Sequence, residues 1–151
     1  MTVIAFSLNL IFKGNLSGKS TRIGHNLKAY LCPAKILTIG YGHTRNVKAN
    51  QAITEAQAVE LLREDLRDAE NTVNAQKLNI NQHQFDALVS FVFNCGSGNF
   101  LKSSLLRMIK VNPMSDNIRI EFQKWNKGGG KVLLGLTRRR KSESELYFLP
   151  L

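Results

Sequence analysis

A chain of 151 residues, 43% of them hydrophobic, has the size of one domain with its own core, which excludes a disordered chain. Its two cysteines, Cys32 and Cys95, are too few for a disulfide-stapled scaffold, and no metal-ligand spacing accompanies them, so no metal or other cofactor is expected. The net charge of +10 is uneven: residues 1–54 hold seven Lys/Arg and no acid, 55–86 hold seven acids against three bases, and 87–151 hold eleven bases against four acids. Two basic blocks around an acidic one suit an anionic polymer as partner, whether cell wall, lipopolysaccharide, nucleic acid or a membrane surface.

The opening Met1–Phe12 is apolar but has no basic n-region and no small-residue cleavage site. It is too short to span a bilayer and is read as part of the fold, either a strand or the start of a helix. Gly14, Ser17, Gly18 and Ser20 interrupt any helix after it. The stretch Leu27–Thr44, LKAYLCPAKILTIGYGHT, reads as a hairpin: an apolar arm, a turn at Cys32-Pro33, a second arm with the strand-type residues Ile36, Thr38 and Tyr41, and a Gly40–Thr44 loop. A hairpin that displays a thiol, a hydroxyl and an imidazole reads as one wall of a site; the plain alternative is an ordinary hairpin with a solvated loop.

Ile53–Gln76 has the strongest helical pattern. Thr54 followed by Gln57 is a capping box, and Ala58, Leu61, Leu62, Leu66, Ala69 and Val73 form one apolar stripe. Glu60, Glu64, Asp65 and Asp68 then make a solvated outer face. Asn81 is expected to cap a buried central helix, Gln82–Asn94, which Gly96 and Gly98 end. A third helix is expected over Phe100–Val111, stopped by Pro113, and a fourth from a Ser115 cap through Trp125. Gly128–Gly130 reads as a flexible loop. Thr137 is expected to cap a last helix whose run Arg138, Arg139, Arg140 and Lys141 either touches phosphate or an acidic polymer or lies in solvent.

With these segments in order, the chain resembles the phage-type lysozymes, muramidases of the endolysin group. The resemblance rests on LKAYLCPA and TIGYGHT within 27–44, ITEAQAVELLREDL at 53–66, NQHQFDALVSFVFNCGSGNF at 81–100 and EFQKWNKGGGKVLLGLTRRRKSE at 121–143. It implies an α+β, lysozyme-like fold: a small β-hairpin lobe at about 1–54, a connecting helix at 53–76 and a larger all-helical lobe at 77–151, in a single domain. It also implies cleavage of the bond between N-acetylmuramic acid and N-acetylglucosamine in peptidoglycan, by a monomer with no cofactor. The implied location is the host cytoplasm before release to the periplasm or cell wall, or the virion.

The family signature is a Glu, eight residues, an Asp or Cys, five residues, then a Thr. Cys32 and Thr38 match its last two members, and counting back puts Ile23 at the Glu position with the following Gly24 kept. No slip restores the acid, because residues 1–54 contain no Asp or Glu. Glycoside cleavage needs a proton donor for the leaving oxygen, which Ile23 cannot supply. His25 is a poorly directed substitute. His43 resembles the family histidine that pairs with an acid across the lobe junction, with Asp65 and Asp68 as the two candidates. Gly40, Tyr41, Gly42, His43 and Phe100 are the implied substrate-facing residues. Lys35 stands where the family often has Gly, Leu37 where it often has Trp and Leu134 where it often has Pro. Three functions follow: a weak or inactive muramidase, a dead lysozyme fold that binds glycan or protein as a virion or spike component, or a basic membrane- or nucleic-acid-binding protein contacting its partner through Arg138–Lys141.

Overall fold

The computed structural model describes residues 1, 26–32 and 34–151. Ile23, His25, Pro33 and nearly all of the opening segment lie outside the described residues, and so do the expectations that rest on them.

The described residues are α+β. Strands β1 (Asn26–Leu31) and β2 (Leu37–Gly40) form an antiparallel pair with Tyr30 opposite Thr38 and Leu31 opposite Leu37. The other edge of β1 is held by the segment that follows: Ala29 N–H donates to Gln51 O at 2.8 Å and Ile53 N–H to Leu27 O at 2.9 Å. The turn closes through Lys35 N–H to Cys32 O at 2.8 Å and Cys32 N–H to Ile36 O at 3.0 Å.

Helix α1 (Glu55–Ala75) starts at the expected capping box, with Thr54 Oγ1 accepting from Gln57 N–H and Gln57 Oε1 accepting from Thr54 N–H. Ala58, Leu62, Ala69 and Val73 are buried along its inner face, with Leu61 and Leu66 half-buried beside them. Helix α2 (Gln82–Cys95) has a second capping box, Asn81 with Gln84, and every residue from Gln84 to Val92 is buried. It packs against α1 on one side and the last helix on the other. Phe91 is its hub, meeting Phe122 at 5.7 Å and Trp125 at 5.5 Å, both edge to face.

Several boundaries differ from expectation. Gly96, at φ 88°, ends α2, but Gly98 lies within a separate short helix, α3 (Ser97–Lys102). The single helix expected over Phe100–Val111 is broken at Ser103, whose backbone is extended. Ser103 Oγ donates to Phe100 O and accepts from Leu106 N–H, closing α3 and opening α4 (Ser104–Val111). Helix α5 (Asn117–Gln123) begins at Asp116 with no side-chain cap; Ser115 contributes only its carbonyl, to Ile118 N–H. The Gly128–Gly130 stretch is a hairpin of β3 (Lys127–Gly128) and β4 (Lys131–Val132). Gly129 and Gly130 have φ of 58° and 79°, the geometry a two-residue turn requires. Helix α6 (Leu134–Tyr147) starts before Thr137, whose hydroxyl donates back to Leu133 O instead of capping.

The largest correction concerns the basic run. Arg139 and Arg140 are 5% and 0% exposed, so residues 138–141 do not form a contact patch; only Arg138 and Lys141 reach solvent. Glu143 explains the burial. Its Oε1 accepts from Ser90 Oγ at 2.7 Å, Arg139 Nε at 3.1 Å and Arg140 Nη2 at 2.8 Å. Arg140 Nε lies 2.7 Å from Glu143 Oε2 but off the hydrogen-bond line, so that contact is Coulombic.

Candidate functional site

The hairpin brings Cys32 and Thr38 together. Thr38 is buried, and its Oγ1 donates to Ile36 O at 3.0 Å. The same hydroxyl reaches the Cys32 thiol, and having one proton it serves one acceptor at a time. Partial burial pushes the half-buried Cys32 thiol up, but the N–H groups of Ile36 and Ala34 and the Thr38 hydroxyl favour the thiolate more strongly. The net result is a thiol below its ordinary value. Lys35 has φ 60°, a left-handed position that glycine takes without strain.

The loop after β2 turns back on itself. Ile39 and His43 exchange both backbone hydrogen bonds at 2.9 Å. Gly40, at φ 61°, lets the chain lie against α1, where a Cβ would sit 3.4 Å from Ala58 Cβ. The buried His43 ring then reaches α1. Its Nδ1 is 2.9 Å from Asp65 Oδ2 and its Nε2 is 2.9 Å from Arg45 O. Both neighbours are acceptors, so only the doubly protonated ring makes both contacts at once. Of the two acids left open by sequence, Asp65 pairs with His43, while Asp68 pairs with Arg45. Two straps one helical turn apart therefore tie the loop to α1.

Beside these straps is a cavity of about 170 Å³. Gly42, Thr44 and Arg45 line it from the loop, Asp65 and Asp68 from α1, and Phe93, Gly96 and Ser97 from the end of α2 and the start of α3. Gly42 is thus on a cavity wall, His43 is behind it as a brace, and Tyr41 is half-buried nearby in sequence. Phe100 is not on this wall. It is fully buried and packs on Phe91 at 6.1 Å, so it cannot touch a ligand. Phe93 is the aromatic at the cavity, and sequence reasoning missed it. The available signal was its place beside Asn94, at the polar end of an otherwise apolar helix. Arg45 was missed for a simpler reason: nothing in its local pattern distinguishes it from a solvated cation.

Among the described residues, no three His, Cys, Asp or Glu side chains converge as a metal site would require. Cys95 is far from a reactive state. Burial pushes its thiol up to about 11, against the opposing charge of Arg140, whose Nη1 donates to Sγ at 2.7 Å.

A family model described as phage lysozyme matches residues 22–143. An endolysin of Bacillus phage PZA is 44% identical over 128 residues, covering 82% of this chain and 49% of that protein. An endolysin of Acyrthosiphon pisum secondary endosymbiont phage 1 is 41% identical over 129 residues, covering 82% of this chain and 88% of that protein. This chain thus spans about half the length of the first relative and most of the second. Among solved structures, the muramidase domain of SpmX from Asticaccaulis excentricus aligns with a TM-score of 0.78 at 31% identity, covering 99% of both chains.

Proposed function

Because this chain belongs to the phage lysozyme family, we propose that it takes the glycan strand of bacterial peptidoglycan as its ligand and hydrolyses it weakly or not at all. Peptidoglycan hydrolysis is the family activity. The reading is carried by one observation: the braced hairpin keeps Cys32 and Thr38 in contact while the family's Glu position holds Ile23. Hydrolysis needs a proton for the departing sugar oxygen and a group that activates water or stabilises the developing cation. Cys32, whose hydrogen bonds lower its thiol below the ordinary value, is the group placed for the second need. Isoleucine does nothing for the first, and loss of a general acid costs roughly 10²–10⁴-fold in rate. Gly42, Thr44 and Phe93 face the sugar at the junction cavity, and His43 holds that wall through Asp65.

The division into a hairpin lobe at 1–54, a connecting helix at 53–76 and a helical lobe at 77–151 suits this reading, since α1 packs on β2 and on α2. The chain acts as a monomer and reaches the wall after release from the host cytoplasm. No helix among the described residues is long and apolar enough to cross a membrane. A second reading, a glycan-docking module without catalysis, is favoured by Ile23 alone.

A turbidity assay on purified sacculi separates the two. The parent chain should clear sacculi slowly or not at all, and Ile23→Glu should raise the rate at least a hundredfold. Rapid lysis by the parent would refute the missing-acid argument. Sacculus binding by both proteins without lysis by either would favour the docking module.

A further inference from the structure

We propose that the tip of the β1–β2 hairpin is a docking surface for an anionic lipid bilayer. Leu31 is 65% exposed and Ile36 50% exposed, and Leu27 and Tyr30 are exposed within the same ten residues. No other ten-residue stretch of the described residues bares as many large hydrophobic side chains. Tyr30 lies on the face of Thr38 and Leu31 on that of Leu37, so these side chains meet one surface together only when the hairpin approaches end-on. The cluster is interleaved with Lys28 and Lys35, both exposed and without a carboxylate partner among the described residues. Residues 1–54 hold no acid, so nothing in that part of the chain opposes an approach to a negative surface.

The hairpin is exposed along nearly all of β1, while β2 runs down into a buried base. Thr38, Ile39 and Gly40 are buried at its base, and β1 is held along its far edge by residues 51–53. The tip is closed by the two hydrogen bonds between Cys32 and residues 35–36. Two aliphatic side chains and a tyrosine on a fixed base can enter the headgroup region while the flanking ammonium groups remain at the phosphates. Charge decides the lipid: each lysine near an anionic leaflet favours binding about fivefold, and a zwitterionic surface offers no such gain. Residues 138–141 offer no competing basic surface, because Arg139 and Arg140 are buried. The tip also carries Cys32, so a docked bilayer and a bound glycan strand would share this part of the hairpin, but the vesicle test does not depend on the glycan reading.

The test is co-sedimentation of the full chain with sucrose-loaded vesicles, of phosphatidylcholine alone or with phosphatidylglycerol added. The parent should bind only the anionic vesicles. Leu31→Ser with Ile36→Ser should lower binding at least tenfold, as should Lys28→Gln with Lys35→Gln. Lys102→Gln with Lys131→Gln, which removes the same charge elsewhere, should leave binding within about twofold. Circular dichroism of each variant separates lost docking from lost folding. Equal losses from the two lysine pairs would overturn the proposal in favour of adhesion by net charge. Undiminished binding by the Leu31/Ile36 variant would overturn it as well. So would a parent that ignores anionic vesicles but sediments as a dimer which that variant dissolves, since the tip would then cover a second copy.

Discussion

Replacing Glu143 with Gln removes one charge and almost no volume from the interface of α2 and α6. The carboxylate is 0% exposed and faces two guanidinium groups, Arg139 and Arg140, that are 5% and 0% exposed. It receives three hydrogen bonds on Oε1 and a close Coulombic contact on Oε2. The cluster already carries one more positive charge than negative. Burial alone pulls the Arg139 guanidinium below its ordinary value, and Glu143 opposes that pull. Without the carboxylate, both cations remain where water cannot replace it. Breaking a buried pair in this way costs about 3–5 kcal/mol. For a chain of this size that is a fall of ~6–20 °C in Tm and a large share of the ~5–15 kcal/mol by which domains are stable. The assay is urea unfolding followed by Trp125 fluorescence and far-ultraviolet circular dichroism. The double variant Arg140→Met, Glu143→Leu should recover part of the loss, because it removes charge from both sides. A Glu143→Gln variant within about 1 kcal/mol of the parent would refute the claim that this carboxylate neutralises the buried cations.

Three further outcomes are expected. A thiol-reactive disulfide reagent at neutral pH should label Cys32 well before Cys95, because hydrogen bonds favour one thiolate and burial disfavours the other; mass spectrometry of the peptides reads the order. Lys35→Gly should stabilise the chain by about 0.5–1 kcal/mol, the left-handed penalty at φ 60° exceeding the entropy that glycine adds to the unfolded chain; a destabilised variant would show that the Lys35 side chain has a role of its own. Burial raises the Glu121 carboxyl, but hydrogen bonds from Lys124 and Ser104 lower it more, so its folded value is depressed. Its contribution is therefore present above the ordinary Glu value of about 4.3 and lost as pH falls below it. Stability of the parent and Glu121→Gln should converge in that acid range, and a gap that persists there would contradict the assignment.

Much of the helical framework was legible in the sequence because it is encoded locally. Thr54 with Gln57 and Asn81 with Gln84 satisfy helix N–H groups from within four residues, and the α1 stripe repeats at helical spacing. Boundaries set by longer-range packing were not legible. Ser103 breaks a continuous apolar pattern by bonding both flanking turns, and Thr137 resembles a cap but spends its hydroxyl on the preceding turn. The burial of the basic run was not legible because arginine ordinarily lies at the surface, whereas Arg139, Arg140, Glu143, Ser144 and Tyr147 share a buried face. At the site, residue types pointed to the hairpin and to His43, but the choice of Asp65, the entry of Arg45 and the exchange of Phe93 for Phe100 depend on how α1 and α2 lie against the loop.

The two straps have a consequence for how this part of the chain opens. Every negative partner of the loop sits on α1, more than twenty residues away, because residues 1–54 contain none. The loop therefore has little electrostatic order of its own and acquires it only after α1 has formed. Such a segment opens as a unit with the surface it leans on. Amide hydrogen exchange at Ile39 and His43 should follow that of Ala58–Ala69 and not that of the turn at 32–36. Asp65→Asn should accelerate exchange at Ile39 and His43 while leaving α2 protected, making the loop's lifetime a readout of the helix beneath it.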